Sequence, residues 1–104
     1  MLTIVETPTF AADADKLWSE GERMEFFVWL AANPESGDVI PQSGGCRKVR
    51  WYRAGTGKRG GVRIIYFCRL PSGEIWLLLA YPKSVSDNIP GHILKAVRKE
   101  IENG

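Results

Sequence analysis

Three short runs, residues 46–53, 62–69 and 74–81, are rich in β-branched and aromatic side chains and are bounded by Gly and Pro. Leu70-Pro71-Ser72-Gly73 has the composition of a turn between the second and third runs, and Gly55 to Gly61 links the first to the second. Links this short cannot carry a crossover, so the runs predict an antiparallel meander. Every other element has to be arranged around that sheet.

Leu2 to Val5 reads as a further strand. Thr7-Pro8 then marks a helix start, because proline loses nothing in a first helical turn. Phe10, Ala14, Leu17 and Trp18 follow at i, i+4, i+7 and i+8, on one helical face. Ser19 and Glu22 have capping-box spacing and open a second helix, in which Met24, Phe27, Val28 and Ala31 are expected inward. That helix should stop before Pro34. A closing helix after Tyr81-Pro82 would turn Ile93, Leu94, Val97 and Ile101 inward and Lys95, Arg98, Lys99 and Glu102 outward. The order β-α-α-β-β-β-α predicts an α+β fold, a small antiparallel sheet with helices packed on one face.

At 104 residues this is one domain, residues 1–104, and 44% hydrophobic content supplies a core without staples. The longest apolar stretch, Ile75 to Tyr81, is far short of the ~20 residues of a membrane span. The N-terminus shows no basic segment followed by an apolar one. Cys46 and Cys68 are far apart in sequence and the chain has one histidine, which argues against a disulfide framework or a structural zinc site. A soluble, reduced, cytoplasmic domain without a cofactor is the expectation.

The net charge of +2 conceals a sharp division. Residues 1–38 hold two basic and eight acidic side chains, whereas residues 39–73 hold eight basic side chains and no acid. A folded surface normally mixes signs, because unrelieved like charge repels itself, so the block points to a polyanionic partner. In the first run of the meander, strict alternation puts Val49 and Trp51 on one side and Lys48, Arg50 and Tyr52 on the other. In the second, Val62, Ile64 and Tyr66 alternate with Arg63, Ile65 and Phe67. A lone arginine on so apolar a face is costly unless a partner or ligand meets it. Lys83, just past the third run, would complete a basic concavity.

The segments Asn33-Pro34-Glu35-Ser36-Gly37-Asp38-Val39-Ile40-Pro41 and Gly44-Gly45-Cys46-Arg47-Lys48-Val49-Arg50-Trp51 resemble the HigB-like branch of the RelE/ParE toxin superfamily. So do Gly57-Lys58-Arg59-Gly60-Gly61-Val62-Arg63-Ile64-Ile65-Tyr66 and Tyr81-Pro82-Lys83. The blocks stand in the family's order and span nearly the whole chain. The resemblance implies a RelE-like α+β domain and a bacterial toxin of a type II toxin–antitoxin system. Such a toxin cleaves mRNA on the translating ribosome, without a metal, until a cognate helix-turn-helix antitoxin inhibits it. Operator DNA would be reached only through that antitoxin. One departure stands out: family members place an acid soon after the lysine matching Lys83, where this chain has Ser84-Val85-Ser86, with Asp87-Asn88-Ile89 one residue early.

RNA cleavage of this kind uses the 2′-hydroxyl as nucleophile and requires a proton acceptor, charge stabilisation at phosphorus and a proton donor to the 5′-oxygen. The resemblance carries Lys48, Arg50, Arg63 and Lys83 to the active concavity. Clustered cations disfavour one another's charge, which makes Lys48 or Lys83 the candidates for moving protons. Arg63 suits a phosphate clamp, being planar and always charged. Tyr81, or Tyr66, is a candidate to stack a base or donate to phosphate. Arg47, Arg53, Lys58 and Arg59 are candidates for nonspecific RNA contacts.

Plainer roles stand beside these. Lys48 and Arg50 could form an ordinary solvated strand face, and Lys58 and Arg59 could be solvent decoration. Gly60-Gly61 reads as a tight turn, with no phosphate-loop pattern around it. His92 reads as a surface helix residue. Trp18, Trp29, Trp51 and Trp76 suit a core or an antitoxin interface, and the cysteines suit small buried hydrophobes. Two other function classes fit the same chain: a non-enzymatic inhibitor of a protein target, as in the gyrase-poisoning branch, and a silent RNA-binding module. The first generally lacks the basic set retained here.

Overall fold

The computed structural model describes residues 2–52, 61–85 and 89–103. Its elements are β1 (Thr3–Glu6), α1 (Pro8–Leu17), α2 (Glu20–Ala32), β2 (Asp38–Val39), β3 (Arg47–Trp51), β4 (Val62–Arg69), β5 (Glu74–Pro82) and α3 (Gly91–Asn103). The five strands form one sheet in the order β1-β5-β4-β3-β2. The meander is present as β3, β4 and β5, all antiparallel, while β1 lies parallel to β5 on the outer edge. The two-residue β2 on the other edge was not anticipated.

Local chemistry explains the helix boundaries. Thr7 caps α1 by accepting the Phe10 amide on its hydroxyl at 3.2 Å, and Pro8 occupies the first turn. Ser19 and Glu22 form the expected capping box, and α2 ends before Pro34. The β4–β5 connection is one 3-10 turn, Leu70–Ser72, closed by Gly73 at φ 68°, a conformation that glycine adopts without steric cost.

Phe10, Ala14, Leu17 and Trp18 are all buried, against Val49, Val62, Ile64, Tyr66, Ile75, Leu77 and Ala80 of the sheet. On α2 the fully buried residues are Phe26 and Leu30; of the face expected inward, Phe27 packs partly buried against the core, whereas Met24 and Val28 are 58% and 60% exposed. Trp29 and Trp51 fill the space beside Phe26, whose ring centroid lies 5.4 Å from that of Trp51. The tertiary demand of that aromatic cluster overrides the helical pattern read from the sequence.

The helices also divide between the two sheet faces, where one covered face was expected. Leu94 of α3 belongs to a second buried cluster with Cys46, Ile65, Phe67, Leu78 and Tyr81. Ile65 and Phe67 alternate with Ile64 and Tyr66, so this cluster lies behind the sheet as seen from α1 and α2. Of the four residues expected inward on α3, Leu94 is buried and Ile101 half-buried, whereas Ile93 and Val97 are exposed. Arg98, expected outward, lies over the Phe67 ring 5.0 Å from its centroid.

One irregularity decides which side chains reach which face. Ile65 pairs with Leu79 and Tyr66 with Leu77, so Leu78 is an extra residue in β5. Before the bulge Ile75 and Leu77 point to α1; after it Ala80 does, and Tyr81 points the other way. Without the bulge the alternation would turn Tyr81 toward α1 and α2.

Candidate functional site

The half of the second face left beside α3 carries the basic side chains. Two cross-strand rows build it. Asp38 of β2 stands opposite Lys48 of β3, which stands opposite Ile65 of β4. Arg50 of β3 stands opposite Arg63 of β4, which stands opposite Tyr81 of β5. Residues directly opposite in an antiparallel pair share a face, so these rows lie side by side.

A cleft of about 540 Å³ opens over them, lined by Lys48, Arg50, Arg63 and Lys83 together with Ser36, Asp38 and Val49. Four cations from three separate stretches of sequence therefore converge. Lys83 is held there by its own backbone, the amide donating to the Gly61 carbonyl at 2.9 Å. Like charges directly opposite one another are destabilising, and the Arg50–Arg63 pair places two guanidinium groups in that relation. The arrangement favours a polyanion, which would relieve the repulsion and accept several charge-assisted hydrogen bonds at once.

Other sequence candidates lie elsewhere. Tyr81 stands beside Arg63 on the same face but is buried in the second core cluster and is not among the residues that line the cleft. Tyr66 is wholly buried; its hydroxyl accepts the Gly37 amide and donates to the Pro34 carbonyl, both at 2.9 Å. That removes it from any role in stacking a base. Arg47 also turns away from the cleft, its guanidinium donating to the carbonyls of Glu35 at 3.2 Å and Gly37 at 2.8 Å. Arg53, Lys58, Arg59 and Gly60 lie outside the described residues, as do Asp87 and Asn88 of the corner after Lys83. His92 is exposed on α3.

Tyr66 and Arg47 thus act together on the segment that leads from α2 to β2. A Cβ at Gly37 would come within 2.9 Å of the Tyr66 hydroxyl and 3.0 Å of the Lys48 carbonyl, so the close approach needs glycine. This clamp sets Ser36 and Asp38 at the rim of the cleft. Neither was singled out from sequence, since the charge division places Asp38 at the end of the acidic third. The available signal was local: Asp38-Val39-Ile40 followed by Pro41 and Gly44-Gly45 reads as the first arm of a hairpin into β3.

Both cysteines are shielded. Burial pushes the Cys46 thiol up, against a hydrogen bond with Ser43, and burial likewise raises Cys68. Arginines nearby (Arg98 for Cys46, Arg47 and Arg98 for Cys68) pull the other way, but burial is the larger effect at both thiols and disfavours the reactive thiolate. Among the described residues no group of three metal-binding side chains comes together, and no helix is long and apolar enough to cross a membrane.

No protein-family profile matches the chain. Among solved structures it is similar to the isolated E. coli RelE toxin, with a TM-score of 0.59. The two chains are 14% identical, over 97% of this chain and 99% of that one. The fold is therefore RelE-type, α+β, in agreement with the architecture expected from the resemblance.

Proposed function

We propose that this chain is the toxin of a type II toxin–antitoxin pair, a HigB-like endoribonuclease that cleaves translated mRNA on the ribosome in the cytoplasm. The observation that carries the proposal is the convergence of Lys48, Arg50, Arg63 and Lys83 on one open cleft. The RelE-type fold supports it, since the neighbour in the comparison is itself a toxin.

In this reading Arg50 and Arg63 grip the scissile phosphodiester from adjacent strands. Their planar, permanently charged groups match phosphate oxygens and stabilise the extra negative charge of the phosphorane. Lys48 and Lys83 flank them and supply charge or a proton to the departing oxygen. The substrate's own 2′-hydroxyl is the nucleophile, so the chemistry requires no metal. The antitoxin, a helix-turn-helix protein, would silence the toxin and link it to operator DNA.

The test is expression of Lys48→Ala and Arg63→Ala beside the parent chain, with growth and cleavage of ribosome-bound mRNA as readouts. Loss of both effects in both variants supports the reading. Full toxicity in both, or inhibition of gyrase supercoiling by the parent chain with mRNA left intact, overturns it.

A further inference from the structure

Among the described residues that line the cleft there is one carboxylate, and its position is the informative part. Asp38 is exposed on β2, directly across from Lys48, on the same face as Arg50 and Arg63. A carboxylate beside a phosphate site weakens phosphate binding by like-charge repulsion, while its place opposite Lys48 gives it an opposite charge across the strands. The surrounding structure holds it firmly. Gly37, the preceding residue, receives a hydrogen bond from Arg47 on its carbonyl and gives one to Tyr66 from its amide. A segment clamped on both groups does not place its next side chain by chance.

We infer that Asp38 is the proton acceptor for the 2′-hydroxyl, a catalytic residue of the cleft; this deepens the nuclease reading and rests on it. Cleavage at phosphorus is an in-line displacement, so the proton acceptor and the proton donor must stand on opposite sides of the phosphate. The sheet order supplies that arrangement. Asp38 is on the edge strand β2, Arg50 and Arg63 are on the middle strands β3 and β4, and Lys83 follows β5. With neighbouring strands ~4.8 Å apart, roughly 14 Å separates the two outer backbones. Lys83 lines the same cleft, so a phosphodiester between it and Asp38 would lie over the arginines.

Among the described residues, the charges that line the cleft with Asp38 are Lys48 and Arg50 from β3, Arg63 from β4 and Lys83 from the end of β5. All are cations, and the carboxylate is the group among them with lone pairs to accept a proton. Ammonium and guanidinium groups in their charged forms have no lone pair for that task. As the 2′-oxygen bonds to phosphorus, its proton passes to an Asp38 oxygen. The P–O5′ bond then breaks, and the departing oxygen takes a proton from the Lys83 ammonium. The products end in a 2′,3′-cyclic phosphate and a 5′-hydroxyl. A later exchange of protons with water restores both side chains.

The experiment measures single-turnover cleavage of mRNA on programmed ribosomes across pH, for the parent chain, Asp38→Asn and Asp38→Glu. A second measurement is affinity for the same complex carrying a 2′-deoxy nucleotide at the cleavage site, which cannot react. The expected result for Asp38→Asn is a rate lower by about 10²–10⁴-fold, with loss of the acid-side limb of the pH profile. Affinity for the deoxy complex should stay within about threefold of the parent, and Asp38→Glu should recover part of the rate and the limb. An Asp38→Asn rate and profile matching the parent overturn the assignment while leaving the nuclease reading intact. So does a lost rate explained wholly by lost affinity. A parent chain that leaves the mRNA uncut overturns the nuclease reading, and the assignment falls with it.

Discussion

The Tyr66 hydroxyl lies 2.9 Å from the Gly37 amide, behind the strand that carries Lys48. This one contact connects the buried core to the rim of the cleft. The phenol is satisfied twice, as acceptor from Gly37 and as donor to Pro34, so it costs nothing to bury while it fixes the approach to β2. Tyr66→Phe keeps the ring and removes both bonds, leaving a buried amide unpaired. The expected loss is about 1–3 kcal/mol in a urea titration. Because Ser36 and Asp38 lose their anchor, cleavage should fall as well, although position 66 lies behind the cleft.

The Arg50–Arg63 pair predicts a trade of stability against activity. Replacing Arg50 by Ala removes one of two like charges that face each other across strands β3 and β4. Stability should rise or hold, by up to about 1 kcal/mol, because the repulsion is relieved. RNA cleavage should fall sharply. An increase in stability together with loss of activity is the signature of residues retained for a ligand. A simple solvated strand face would instead show little change in either measurement.

Much of this was legible in the sequence, and the reasons differ by element. The faces of β3 and β4 followed from alternation, which has a period of 2 and leaves no freedom once one face is buried. The cation set followed from that alternation and from Lys83 standing just past β5. The extra residue in β5 was not legible, since Ile75 to Tyr81 is apolar throughout and shows no break at Leu78. The face of α2 is only partly legible, because Met24, Phe26, Phe27, Val28 and Leu30 surround the helix with apolar groups and two faces compete; Phe27 turns to the core, while Met24 and Val28 do not. Asp38 was hidden for a different reason: its role depends on a two-residue strand and on a clamp at Gly37 made by residues 10 and 29 positions later.

The α2 orientation gives a direct stability test. Phe26 is fully buried among Trp18, Trp29 and Trp51, and its truncation to Ala should cost about 3–5 kcal/mol. Met24→Lys and Val28→Lys, on the outward face, should each stay within about 0.5 kcal/mol of the parent. Thermal melts of the three variants decide which stripe is the core.

Alkaline pH should destabilise the fold in a defined window. Burial raises the Tyr66 phenol above its usual 10.0, with the Gly37 hydrogen bond acting against it. Burial also raises Cys46 and Cys68 above the usual thiol value of 9.0. The unfolded chain loses these protons at the usual values while the folded chain keeps them. Between the two values the unfolded state binds fewer protons, so stability falls as pH rises. The contribution is complete below about pH 9 and is lost progressively above it. Urea midpoints measured from pH 8 to 11 should decline, and the part of the decline above pH 10 should shrink in Tyr66→Phe.

The last prediction concerns the support beneath Lys83. β1 ends at Glu6, opposite Leu77, so the outer edge of β5 beyond that point has no neighbouring strand among the described residues. Side chains from α1 and its cap take over. Thr7 donates its hydroxyl to the Leu77 carbonyl at 2.9 Å, and Asp13 accepts the Ala80 amide at 3.2 Å. Both contacts flank the extra residue Leu78, whose position turns Tyr81 toward the cleft side. Asp13→Ala strips the acceptor from a part-buried amide and should cost about 1–3 kcal/mol, whereas Asp13→Asn keeps an acceptor oxygen and should cost less. If these contacts hold the bulge in register, Asp13→Ala should also slow cleavage, through Lys83, at temperatures well below its melting point. Hydrogen exchange at the Ala80 amide, faster in Asp13→Ala and near the parent rate in Asp13→Asn, connects the lost bond to the lost rate.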